Sequence, residues 1–274
     1  MPVVTRIFSD LHYGEQASRV RSLSMLRPLL DGVDHLVLNG DTLDTRPSAS
    51  PALTAELHAE VLSFFPAAVP RVTFLTGNHD PDLSPLHHLD LGEGAVFATH
   101  GDLAFENIVP WGRDAALAGR LVAAELARLA RGENAPLEER LQAYRLAAAA
   151  IPQRHQSEPH RWRYAARLLG DTLWPPLRTL SVLRAWRELP VRAESLVWRY
   201  RPNTQFIVVG HTHRPGVWSR PNGLVVVNTG SFCRPLGGCV VDLGPNAVVL
   251  RPVHFQRGEF RVGDASQQFA LARH

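Results

Sequence analysis

Two cysteines in 274 residues, Cys233 and Cys239, are too few for a disulfide framework or a Cys-rich zinc ribbon and read as two buried or idle thiols. Lysine is absent altogether, all 29 basic residues being arginine. No uninterrupted apolar run approaches the roughly 20 residues that a bilayer-spanning helix needs. The opening "MPVVTRIFSD" enters a strand pattern directly, without a signal-peptide core. A cytoplasmic chain is therefore expected. A G-x-G-x-x-G phosphate cradle is missing, as are internal repeats. What is there is 45% apolar residues in a chain long enough to bury a full core. This predicts one domain over 1–274, with room for an insertion.

Charge is unevenly placed. The formal net charge is +3, but residues 107–200 hold fifteen arginines against nine acidic residues, a net +6 that leaves −3 for the rest. The basic segment lacks the interleaved basic and aromatic strands of a nucleic-acid groove, so nucleic acid is not the favoured partner.

Five segments share one design, a short apolar run followed at once by small, polar and metal-competent residues. They are "VVTRIFSDLH" (3–12), "HLVLNGDTLD" (35–44), "RVTFLTGNHD" (71–80), "GAVFATHGD" (94–102) and "QFIVVGHTH" (205–213). Each reads as a buried strand running into a loop. Helix-like spacing in "ASRVRSLSMLRPLL" and "ALTAELHAEVLSFF" makes the first half α/β. In open α/β sheets ligands bind outside the carboxyl ends of the strands, so the five polar clusters should converge on one edge. After "GHTHRPG", the runs "GLVVVNTGS", "GGCVVDLG" and "AVVLRPVHF", separated by turn signals, predict an antiparallel meander. Residues 107–200 read as several inserted helices, broken at Pro136, Pro152, Pro175 and Pro190, and carry Trp111, Trp162, Trp174, Trp186 and Trp198.

The strand ends offer Asp10, His12, Asp41, Asn78, His100, His211 and His213, an inventory that suits two metal ions. A carboxylate can bridge two cations, which makes Asp41, in the middle of the set, the natural shared ligand. Two cations about 3.5–4 Å apart can clamp the attacking and leaving oxygens of an in-line displacement at phosphorus. His79, beside Asn78, is the candidate proton donor to the leaving oxygen, with Asp44 to orient it. Asp80 and Asp102 read as supporting or capping residues, and Arg214, His87 and His88 as candidate substrate contacts.

The blocks "DLH", "GDTLD", "GNHD", "HGD" and "GHTH", in that order, resemble the calcineurin-like metallophosphoesterases. "VNTGSFCRP" is similar to the strand end that follows the last block in many members, with Thr229 where proline is common. The resemblance implies a four-layer α-β-β-α sandwich of two mixed sheets. It implies that Asp10, His12, Asp41 and His213 hold one divalent ion and Asp41, Asn78, His100 and His211 the other, with manganese ahead of iron or zinc. The implied activity is hydrolysis of phosphate esters or phosphoanhydrides, with His79 as acid and Asp44 as its partner.

A helical insertion after HGD, followed by "GHTHRP", also looks like the UDP-2,3-diacylglucosamine hydrolases of lipid A synthesis, in which it caps an acylated nucleotide-sugar substrate. Those enzymes typically carry arginine where this chain has His79. A nuclease or cyclic nucleotide phosphodiesterase and a non-catalytic metal-binding scaffold are the other readings. Arginine and tryptophan in helices such as "LRTLSVLRAW" further suggest peripheral membrane contact through the insertion.

Overall fold

The computed structural model of the protein describes residues 4–129, 132–153 and 176–271. Among these residues, twelve strands form two mixed sheets. The first holds β1 (Thr5–Phe8), β2 (His35–Asn39), β3 (Arg71–Leu75), β9 (Cys239–Leu243), β10 (Ala247–Gln256), β11 (Glu259–Val262) and β12 (Gln267–Ala270). The second runs in the order β4 (His88–Leu91), β5 (Val96–Thr99), β6 (Phe206–Val209), β8 (Val225–Asn228) and β7 (Gly216–Ser219). β1, β2 and β3 are mutually parallel, as are β5, β6 and β8, so each trio ends on one edge.

Side-chain alternation along the strands explains the layering. In β6, Phe206 and Val208 face the core between the sheets, with Ile7, Val37 and Val241 from the first sheet, while Ile207 and Val209 face helices on the outside. In β2, Val37 points to the inter-sheet core and Leu36 and Leu38 to the opposite outer layer. Both faces of each sheet are therefore covered, which is why the strands read as unbroken apolar runs. Replacing the wholly buried Ile207 by alanine would cost about 2–5 kcal/mol.

The outer layer on the first sheet is α1 (Pro51–Ala68) and a 3-10 helix, Leu23–Leu29. An α-helix is the expectation there. The buried residues Leu23, Leu26 and Leu29 instead recur every three positions, the period of the 3-10 form, and Pro28 removes a donor from the last turn. The described helices between β5 and β6 in the chain supply the other outer layer, with α2 (Ala115–Ala127), α3 (Leu137–Ala149) and α4 (Pro176–Tyr200) packed on β5, β6 and β8. α4 runs straight through Pro190, where a break is expected. Its stripe Ala185, Leu189, Ala193, Val197 stays buried across the proline, and that packing outweighs the lost hydrogen bond. Trp162, Trp174 and Pro175 lie outside the described residues.

The meander expectation is corrected too. β9 and β10 form an antiparallel pair, but β8 lies parallel to β6 in the other sheet, so the chain crosses between sheets after Asn228. Val225, Val226 and Val227 are buried on both faces, as a strand inside the second sheet requires and a half-exposed meander strand does not.

Candidate metal centre

All five polar clusters meet at the carboxyl edge of the two parallel trios. Asn39, the last residue of β2, donates from Nδ2 to the carbonyls of Thr99 (3.0 Å) and Val208 (3.1 Å) and so pins the two sheets together beneath the site. Asn228 does the same for the last block, donating to Gly210 O (2.6 Å) and Thr212 Oγ1 (2.9 Å). The chain bends sharply above these anchors. Asp10, His12, Asp41, His211 and His213 all have left-handed backbones, with φ between 47° and 70°. For non-glycine residues this costs about 1–2 kcal/mol each, and such strain persists where the surroundings over-determine it, as at ligand clamps.

Asp10, His12 and Asp41 place ligand atoms within 4.8 Å of one another, and so do Asp41, His100 and His211. Asp41 belongs to both groups. His213 Nε2 lies 3.0 Å from His12 Nε2 and 3.2 Å from Asp10 Oδ1, which adds it to the first group. His100 Nε2 is 3.2 Å from Asp41 Oδ2.

The donors fit divalent cations. Three rings have one nitrogen committed to a fixed acceptor. His12 Nδ1 meets Glu15 Oε1 at 2.9 Å, His100 Nδ1 meets Asn39 O at 3.1 Å, and His211 Nε2 meets Ile108 O at 2.8 Å. A ring that donates from one nitrogen presents a lone pair on the other, the arrangement metal-bound histidines use. Asn78 Oδ1 is buried without a hydrogen-bond partner, and His100 Nε2 faces Asp41 Oδ2 alone. Buried polar atoms rarely go unpaired, and Asn78 is a candidate ligand of the second group.

Electrostatics favour ionised carboxylates. Burial alone would raise Asp10, but the neighbouring His12 and His213 hold it far below the usual range. Burial likewise works against Asp41, whose neighbours His100 and His79 hold it well down. In the metal-free site Asp41 outweighs burial and raises His100 to about 10, and that charge together with burial pushes His211 down to about 4, so the His211 ring is neutral at physiological pH. Asp80, raised to about 6 by burial and by Asp41, accepts the backbone N–H groups of Asp41 (3.0 Å), Thr42 (2.6 Å) and Gly77 (2.6 Å), a supporting place.

His79 Nδ1 stands 3.0 Å from Asp44 Oδ2. Burial and the Arg46 guanidinium depress the imidazole, yet Asp41 and Asp44 outweigh them and raise it to about 9, so at neutral pH it carries a proton. Arg46 pairs with both Asp44 oxygens, Nε to Oδ1 at 3.0 Å and Nη2 to Oδ2 at 2.7 Å. The three other candidate contacts go elsewhere. His87 bonds Thr76 Oγ1 and Gln142, His88 bonds Glu138, and Arg214 stacks on Trp186 at 5.3 Å. None of the three lines the cavity beside the site.

That cavity, of about 620 Å³, runs from His12, Asn78, His79 and His213 to an apolar wall under the insertion that includes Ile108, Trp111, Ile151, Val182 and Trp186. Sequence reasoning missed three polar residues here. Glu15 and Arg46 each follow a motif by two or three positions, where spacing carries no signal. Cys233, read as a buried or idle thiol, is buried and lies within 4.8 Å of the His12 and His213 nitrogens, because Phe232 N–H donates to Asp10 O at 3.0 Å and draws that loop against β1.

A model of the calcineurin-like phosphoesterase family matches residues 5–215. The chain belongs to this family. Calcineurin-like phosphoesterases are generally dinuclear metal-dependent phosphoester hydrolases, and both the mixed two-sheet fold and the candidate ligand clusters agree with membership. Among solved structures the chain is similar to a dimetal phosphatase from Danio rerio (14% identity, 99% of each chain covered, TM-score 0.46). It is also similar to vacuolar protein sorting 29 from Cryptosporidium parvum (15% identity, 98% of each chain, TM-score 0.42). A third similar structure is a predicted phosphoesterase from Streptococcus pneumoniae (14% identity, 98% of each chain, TM-score 0.39). No curated protein matches the sequence.

Proposed function

We propose that the protein hydrolyses phosphate esters or phosphoanhydrides at two divalent cations that share Asp41. The observation that carries this reading is the pair of ligand groups with Asp41 common to both. Asp10, His12, Asp41 and His213 would hold one cation and Asp41, Asn78, His100 and His211 the other, manganese being the first choice and iron or zinc the alternatives. When bound, the cations supply positive charge against the phosphoryl oxygens and make an attacking water acidic enough to act near neutral pH. His79, protonated and lining the cavity, gives its proton to the leaving oxygen, while Asp44 holds the ring by Nδ1. The test is turnover of phosphomonoester, phosphodiester and pyrophosphate substrates by protein loaded with Mn²⁺, Fe²⁺ or Zn²⁺. Hydrolysis that disappears in Asp41→Ala supports the reading; no turnover of any class by loaded wild type removes it.

A narrower reading is favoured by the apolar wall of the cavity. A substrate with an acyl part, such as UDP-2,3-diacylglucosamine, would place its pyrophosphate at the metals and its chain beside Ile108, Ile151 and Val182. Exposed Leu177, Leu180, Leu183, Val191 and Trp198 on α4 would then serve peripheral contact with the membrane that carries such a lipid. Cleavage of the acylated nucleotide sugar in preference to DNA and cyclic nucleotides, with binding to anionic vesicles, is the result expected.

A further inference from the structure

Glu15 stands in the turn after the first ligand block, and no part of the motif accounts for it. Its backbone N–H donates to His12 O at 3.0 Å, and its own carbonyl accepts from Ser18 N–H at 3.2 Å, so the turn is held at both ends. The side chain reaches back into the site. Oε1 lies 2.9 Å from His12 Nδ1 and 3.3 Å from His79 Nδ1, the nitrogen that Asp44 also meets at 3.0 Å. One carboxylate oxygen therefore faces a candidate metal ligand and the candidate acid together, and it lines the cavity.

We propose that Glu15 is a positioning residue of the two-metal site, fixing the tautomer of His12 for its cation and holding the His79 ring in place against Asp44. A carboxylate oxygen has lone pairs for two N–H donors. With Nδ1–H given to Glu15, His12 keeps its lone pair on Nε2. That nitrogen is the one 3.0 Å from His213 Nε2 and 3.8 Å from both Asp10 Oδ1 and Asp41 Oδ2. Without Glu15 the ring is free to turn or to protonate the wrong nitrogen, and the first cation loses a prepared ligand. The second cation's histidines are held by Asn39 O and Ile108 O instead, out of reach of this change.

The two cations thus give Glu15 a selective signature. Titration calorimetry of the metal-free protein with Mn²⁺ and with Zn²⁺ should show one of two binding steps weakened about 10–100-fold in Glu15→Ala, the other unchanged. Glu15→Gln keeps an acceptor oxygen at the same reach and should stay within about threefold of wild type; Glu15→Asp, one methylene short, should behave as the alanine variant does. Equal weakening of both steps in a protein whose circular dichroism is native, weakening of neither, or a glutamine variant as poor as alanine would overturn the proposal. If the alanine protein does not fold, the glutamine and aspartate pair decides in the same way. The His79 part rests on the hydrolase reading: Glu15→Ala should steepen the dependence of turnover on leaving-group pKa, and an unchanged slope overturns that part. Wild type that binds two metals but turns over nothing would sink the hydrolase reading and leave the titrations to judge Glu15.

Discussion

Arg145 and Asp102 allow the sharpest test of how the insertion is tied to the site. Arg145 of α3 is 2% exposed and Asp102, in the HGD block, 0%. They form a bidentate pair, Nη1 to Oδ2 at 2.6 Å and Nη2 to Oδ1 at 2.8 Å, and Arg145 Nε also donates to Thr76 Oγ1 at 2.9 Å, two residues before Asn78. Arg145→Met keeps most of the buried stem and leaves a carboxylate sealed from water with no cation, which costs about 3–5 kcal/mol. Urea unfolding of the metal-free protein measures this as a lower midpoint at unchanged slope. Adding Asp102→Leu removes the stranded charge, so the double variant should be more stable than the single one. The pH dependence follows from sign. Burial raises the Asp102 carboxyl and Arg145 more than compensates, holding it below its ordinary 3.8. Its contribution is complete above that value and is lost as pH falls through the lower folded one. In Arg145→Met burial acts on the same carboxyl without its cation and raises it, so the gap between wild type and variant should be largest at high pH, begin to narrow above pH ~4 as the stranded carboxylate takes up a proton, and shrink further below it. A loss under about 1 kcal/mol, the scale of an exposed pair, or a double variant no better than the single, would refute the reasoning.

His79→Ala should slow turnover about 10²–10⁴-fold for esters with poor leaving groups and far less for nitrophenyl esters; equal loss on both would argue against a proton donor. A Cβ on Gly210 would overlap Asp10 Oδ2 and Ser9 Oγ. Gly210→Ala should accordingly keep native circular dichroism yet bind metal about 10–100-fold more weakly, and unchanged affinity would show that the close approach does not set the carboxylate.

The strand ends were legible because two patterns coincide there. Runs such as "FIVV", short, β-branched and followed at once by glycine and polar residues, read as strands buried on both faces, and the polar residues that follow mark the strand ends. That logic located Asp10, Asp41, Asn78, His100 and His211, which the fold brings to one edge. It failed where partners are chosen at long range. β8 pairs with β6 and not with β9 because its alternate valines need two packed faces, a property of the finished sandwich. The place of His87 and His88 depended on α3, whose Gln142 and Glu138 hold them aside, and no local signal announces that docking. The thiol of Cys233 reaches the site through long-range backbone pairing, Phe232 N–H to Asp10 O and Arg19 N–H to Phe232 O, between segments more than 200 positions apart.

The central claim is a pair of cations joined by Asp41, and elemental analysis combined with anomalous diffraction tests it most directly. Crystals grown with Mn²⁺ should show two adjacent peaks flanking the Asp41 carboxylate, and purified Asp41→Ala should retain at most one metal per chain. One peak or none in the wild type, or two metals kept by Asp41→Ala, would contradict it.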